Sequence, residues 1–142
     1  MPDPNPVTVV NYFFTEQSVY AVKTFDPNDD STELKSSTDV VIGEIQGTEE
    51  KRFYCEVTVS SDEESVNPSY NYHLKAYGVF KVDKEDFVIK DHIGPGGVCH
   101  NTAVVMLLGA IRERLVDLTA RGPWGAVTLQ AVPIPSGNTE SD

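Results

Sequence analysis

From Thr102 to Ile111 the chain reads TAVVMLLGAI, without a single charged side chain. Wound at 100° per residue, such a run is apolar nearly all the way round a helix. It is too short to cross a bilayer, for which about 20 apolar residues are needed. It must therefore be covered by protein. The spacing predicts a helix that starts at Asn101 as N-cap and runs to about Arg121, where Gly122 and Pro123 stop it. Gly122 is expected in the left-handed conformation. Val104, Leu107, Leu108, Ile111, Leu115 and Leu118 form one stripe. The opposite side carries Glu113 and Asp117 in its second half, but Ala103, Met106, Gly109 and Ala110 in its first.

The cover on the first side is supplied upstream. Val7 to Phe25 has strand composition with a break near Thr15–Gln17. Thr38 to Ile45 is a second strand. Arg52 to Ser60 alternates, with Phe53, Cys55, Val57 and Val59 on one face. Ser69 to Val82 alternates longer, with Tyr70, Tyr72, Leu74, Ala76 and Phe80 on one face. The polar stretches 26–37, 46–51 and 60–68 connect them. The pattern predicts an α+β fold: a four-stranded antiparallel sheet packed against one long C-terminal helix. A further strand is expected to begin near Val127. The chain of 142 residues fits one domain with one core; residues 1–6 and 134–142 are expected to be loose tails.

One sheet covers one side of a helix, and no second long helix is present in the sequence. The face with Ala103, Met106, Gly109 and Ala110 is therefore expected to meet a second copy of the chain. The alternative cover is the loop 83–98.

The formal net charge of -11 argues against nucleic acid and anionic membrane as partners. Two cysteines, Cys55 and Cys99, make neither a disulfide framework nor a zinc site. MPDPNPVTVV lacks the basic and apolar stretches of a signal peptide, which points to the cytoplasm. Catalysis finds little support. Cys99 and His100 are neighbours that rarely pair productively; His92, Cys99 and His100 have poor metal spacing; and GPGG lacks the context of a phosphate loop. No cofactor and no metal are expected.

Aromatic side chains on strands are the surplus. Tyr12, Phe13 and Phe14 are consecutive, so both faces of one strand carry a ring, whereas one face of an antiparallel sheet normally meets solvent. Apolar area beyond one core points to oligomerisation or to binding of apolar polypeptide.

Arg112-Glu113, the spacing from there to Arg121-Gly122, the aromatic Trp124 and the run Val127-Thr128-Leu129 together resemble the SecB family of protein-export chaperones. NYFFTEQSVY is similar to the family's first strand, FYCEVTVS and YHLKAYGVFKV to its third and fourth, and Cys99-x-Asn101 to its helix entrance. The resemblance spans most of residues 7–132. It implies a homotetramer with the helices in the middle that holds unfolded polypeptide clients in long apolar grooves without ATP, in protein export or for a dedicated client such as an antitoxin. Client contact is then expected at Tyr12, Phe13, Phe14, Val19, Tyr20 and Trp124. Three departures stand out. The family's second C-terminal helix has no counterpart in PIPSGNTESD. The tail lacks the basic residues that contact the SecA motor. The acidic docking positions of the first strand fall near Gln17 and Ala21, which weighs against SecA as a partner. Two other readings are an assembly protein that uses the fold only to oligomerise and a small enzyme built on Cys99 or His100.

Overall fold

The computed structural model describes residues 5–129. Strands β1 (Val7–Ala21), β2 (Ser36–Ile45), β3 (Lys51–Ser61) and β4 (Tyr70–Val82) precede a 3-10 turn (Ile89–Asp91) and helix α1 (Val98–Thr119). The sheet is antiparallel throughout, in the order β1-β4-β3-β2. This is the expected α+β architecture. The two cleanly alternating segments became the two central strands, because only a strand with a neighbour on each side has to be regular along its whole length.

β1 is a single strand. The break expected near Thr15–Gln17 is a bulge between Phe14 and Glu16, and a second bulge lies between Val9 and Asn11. Each extra residue shifts the pleat by one. Tyr12 and Phe14 therefore lie opposite Gly78 and Ala76 on the helix side, while Phe13 lies opposite Tyr77 on the outer side. The three consecutive rings do divide between two faces.

The helix-facing side of β2–β4 is the core. Ile42, Phe53, Cys55, Val57, Leu74, Ala76 and Phe80 are buried there against Val104, Leu107, Ile111 and Leu115 of α1. Phe53 and Phe80 stack with centroids 5.2 Å apart. α1 packs across β4, β3 and β1. It leaves the start of edge strand β2 uncovered, and that offset positions the site described below.

Several expectations about the helix need correction. α1 begins at Val98 with Gly97 as N-cap, so Asn101 lies inside the first turn. The chain closes tightly there: a Cβ on Gly97 would collide with the backbone of His92, and His100 donates its N–H to the His92 carbonyl at 3.1 Å. The buried stripe is Cys99, His100, Ala103, Val104, Leu107, Ile111, Leu115 and Thr119, rotated toward Ala103 and away from Leu108 and Leu118. Ala103, expected on the free face, is 0% exposed in the protomer core, while Leu118, expected in the stripe, is exposed. Leu108 is half-buried.

The helix stop also differs in its cause. Gly122 is not in the left-handed region; Gly125 is, at φ 81°. Gly122 is instead a close-approach glycine, since a Cβ there would meet the Tyr70 hydroxyl and ring. Residues 125–129 have no regular secondary structure, so the strand expected at Val127 does not form within the described residues. Asn5 and Pro6, expected in a loose arm, are tied down: Asn5 Nδ2 donates to Thr102 Oγ1 at 2.7 Å, and the Pro6 carbonyl accepts from Asp83 at 3.0 Å. The tail 134–142 lies outside the described residues.

Candidate functional site

Because α1 does not extend over the start of β2, a groove opens between them. Its volume is about 550 Å³. Val105, Leu108, Gly109 and Arg112 of α1 form one wall. Ser36 and Thr38 of β2, Val59 of β3 and Tyr72 of β4 form the floor. Thr32 and Leu34 form the opposite wall, and Val127, Thr128 and Leu129 close one end.

Each wall has a local cause. The segment before β2 is not a free loop. Glu33 and Val66 exchange both backbone hydrogen bonds, at 2.9 and 2.7 Å, and the Lys35 N–H donates to Ser65 Oγ at 2.9 Å. These bonds hold Leu34 in place although it is 52% exposed. On the helix, Val105 is 57% exposed, a large apolar side chain facing water from a rigid element. At the closed end, the Val127 N–H donates to Thr119 Oγ1 at 2.8 Å, and that hydroxyl donates to the Leu115 carbonyl at 2.7 Å. Thr119 thus ends the helix and anchors the segment beyond it. In the floor, the Tyr72 hydroxyl pairs with Ser36 Oγ, and burial raises the phenol above its ordinary range.

Among the lining residues Arg112 alone carries a charge. Its Nε is buried with no hydrogen-bond acceptor. The next basic residue along, Arg114, is satisfied: its Nε donates to Gln17 Oε1 at 2.7 Å. Gln17, one of the two positions that replace acidic docking residues in the resemblance, is therefore engaged within the protomer.

The residues expected to touch client lie elsewhere. Tyr12, Phe13, Phe14, Val19 and Tyr20 are on β1, at the edge of the sheet opposite to β2. Phe14 and Val19 pack partly on the core. Tyr12, Phe13 and Tyr20 are exposed, Tyr20 most of all at 67%. Phe13 meets Tyr77 at 5.6 Å, and Tyr77 stacks on Tyr54 at 5.8 Å, giving a row of rings across the outer face. Trp124 is pinned at the helix exit: its ring meets Phe25 edge-on at 5.1 Å and its Nε1 donates to the Val22 carbonyl at 2.9 Å. The groove itself is not legible in the sequence, because its lining comes from five separate segments and no local pattern joins them. Of the free-face set, Gly109 lines the groove, while Met106 and Ala110 are half-buried and not among its lining residues.

The chemistry considered for Cys99 and His100 has little to work with. Burial pushes the Cys99 thiol up to about 12, the reverse of an activated nucleophile. His100 is buried with neither ring nitrogen hydrogen-bonded. His92 stacks on Phe87 at 4.2 Å. Among the described residues no group of three His, Cys, Asp or Glu side chains is placed to hold a metal ion, and no helix is long and apolar enough to cross a membrane.

No family model matches the chain, and no curated protein matches it by sequence. Solved structures do match in fold. The SecB-like chaperone Rv1957 of Mycobacterium tuberculosis, in complex with a ChAD peptide from the Rv1956 HigA1 antitoxin, is 10% identical. The match covers 90% of this chain and 88% of that one, with a TM-score of 0.61. A protein of unknown function from Streptococcus agalactiae is 11% identical over 88% of this chain and 97% of that one, with a TM-score of 0.59. The fold is SecB-like.

Proposed function

We propose that this chain is an ATP-independent holdase, a chaperone that binds non-native polypeptide in the groove between α1 and β2. The observation that carries the reading is the groove itself: an open apolar channel on a SecB-like fold, with Leu34 and Val105 held facing solvent by rigid backbone. Exposing such side chains is unfavourable unless a partner covers them. An unfolded segment offers the matching surface. Burial of its side chains is worth roughly 25 cal/mol per Å² of apolar area, less the cost of ordering the segment. The edge strand β2 beside the groove can add backbone hydrogen bonds to an extended client. The net charge of -11 keeps loaded complexes apart.

The client is a dedicated one such as an antitoxin, a peptide of which is in complex with the Mycobacterium tuberculosis protein, or an export substrate, and the site of action is the cytoplasm. The helix face at Met106, Gly109 and Ala110 meets a second copy, within a tetramer. The β1 side chains Tyr12, Phe13, Phe14, Val19 and Tyr20, with Trp124, give a second apolar strip for a client long enough to pass round the protomer.

The test is suppression of aggregation. A chemically denatured, unrelated protein is diluted into buffer with and without this chain, and light scattering is followed. A holdase lowers the scattering in proportion to its concentration with no nucleotide present. Scattering as high as with an inert acidic protein of the same size counts against the reading, and favours an assembly protein that uses the fold to oligomerise.

A further inference from the structure

We propose that the groove selects polypeptide segments in which a side-chain carboxylate, Asp or Glu, sits between apolar side chains, and that Arg112 takes that carboxylate. This rests on the holdase reading and names the client chemistry it favours.

The whole chain is acidic, at -11, so its long-range field attracts basic segments. The groove is locally the reverse: among its lining residues there is one cation and no carboxylate. Arg112 takes part in none of the ion pairs among the described residues. Its Nε–H is withdrawn from water without an acceptor. A guanidinium partly stripped of water and left unpaired is a costly arrangement. It is relieved by a carboxylate that matches its planar fork. An apolar groove that had only to bury hydrocarbon would be served as well by a methionine at this position.

Position argues for a carboxylate within the client rather than at its end. Leu108 lies about 6 Å before Arg112 along the helix axis, at 1.5 Å per residue, and Val127, anchored on Thr119, lines the groove beyond it. Apolar lining therefore flanks Arg112 on both sides. A client chain running beside the helix would place apolar side chains before and after the carboxylate, on the same face at alternate residues.

The test uses the full chain and fluorescein-labelled peptides with both ends capped, followed by fluorescence anisotropy. One peptide carries a single Glu with leucines two residues before and after it; its twin carries Gln instead. Wild type should bind the Glu peptide about tenfold more tightly, as expected for a charge-assisted pair. Arg112→Met, which keeps the packing stem, should bind both equally at the weaker value. Arg112→Lys should keep part of the preference. Far-UV circular dichroism and melting establish that the variants are folded. Equal binding of the two peptides by wild type, or a preference that survives in Arg112→Met, overturns the assignment to Arg112. A Gln peptide with a free C-terminal carboxylate that binds as tightly as the capped Glu peptide overturns the internal placement. Val105→Gln separates this inference from the reading beneath it. If it weakens both peptides, the groove is the site whatever Arg112 does. If neither peptide binds wild type, or Val105→Gln changes nothing, the groove reading falls as well.

Discussion

The Tyr70 hydroxyl accepts the Trp124 backbone N–H at 3.0 Å and faces the Thr119 carbonyl at 3.4 Å. One side chain at the start of β4 thus fastens the exit of the helix. Tyr70 is 3% exposed, so water does not replace these bonds if the hydroxyl is removed. Tyr70→Phe is expected to cost about 1–3 kcal/mol, read as a fall in Tm or in the denaturant midpoint. An unchanged midpoint would mean that the segment after the helix is not held through Tyr70.

Two glycines give opposite signs. At Gly122 any Cβ meets Tyr70, so Gly122→Ala should destabilise by about 1–3 kcal/mol, as overpacking does. At Gly109, inside α1, nothing stands within 4 Å of a Cβ, so Gly109→Ala should stabilise by about 0.5–1 kcal/mol through helix propensity. Thermal melts of the two variants check both signs. If Gly109→Ala also lowers the mass seen by light scattering, a second copy packs closely at that position.

The thiols give a pH-dependent expectation. Burial pushes Cys55 and Cys99 up to about 12, above the unfolded value near 8.5. A raised thiol favours the protonated form in the fold. Its contribution is therefore complete below about pH 8.5 and is lost as pH rises from there towards 12. Both cysteines should resist a thiol reagent at pH 8 in the native state and react in denaturant. Fast native labelling of Cys99 would revive the enzyme reading.

Much of the fold was legible because it rests on periodicity. Phe53, Cys55, Val57 and Val59 announce a face two residues at a time, and β3 and β4 lie where that alternation put them. The helix ends were less legible. Asn101 looked like a cap, yet the constraint that sets the start is the contact between Gly97 and His92, which no local pattern records. The helix ends at Thr119, shortly before Gly122, and what requires a glycine at 122 is Tyr70, more than 50 positions away in the chain. Ala103 falls on the other face because the sheet takes the side of His100, Ala103, Leu107 and Ile111, rotated from the stripe that Leu108 and Leu118 suggest. The groove is hidden because Leu34, Val105 and Val127 meet only after the sheet order is known.

The anchor at Thr119 ties stability to the shape of the groove. Thr119 is fully buried and its hydroxyl both donates to Leu115 and accepts from Val127. Thr119→Val keeps the volume but leaves the Val127 N–H unpaired, at a cost of about 1–3 kcal/mol. It should also loosen the segment that closes the groove, seen as faster amide exchange at Val127 than at core positions of β3. Protection at Val127 equal to wild type would show that the anchor lies elsewhere.

The central claim is that non-native polypeptide is held between α1 and β2. The most direct measurement compares aggregation suppression by wild type, by Leu34→Gln and Val105→Gln in the groove, and by Tyr20→Gln on β1. All three replaced side chains are exposed, so each variant should melt within about 0.5 kcal/mol of wild type. The account predicts that the two groove variants lose most of the suppression and that Tyr20→Gln keeps most of it. Full suppression by both groove variants, with loss in Tyr20→Gln, would contradict it and move the client site to the β1 edge.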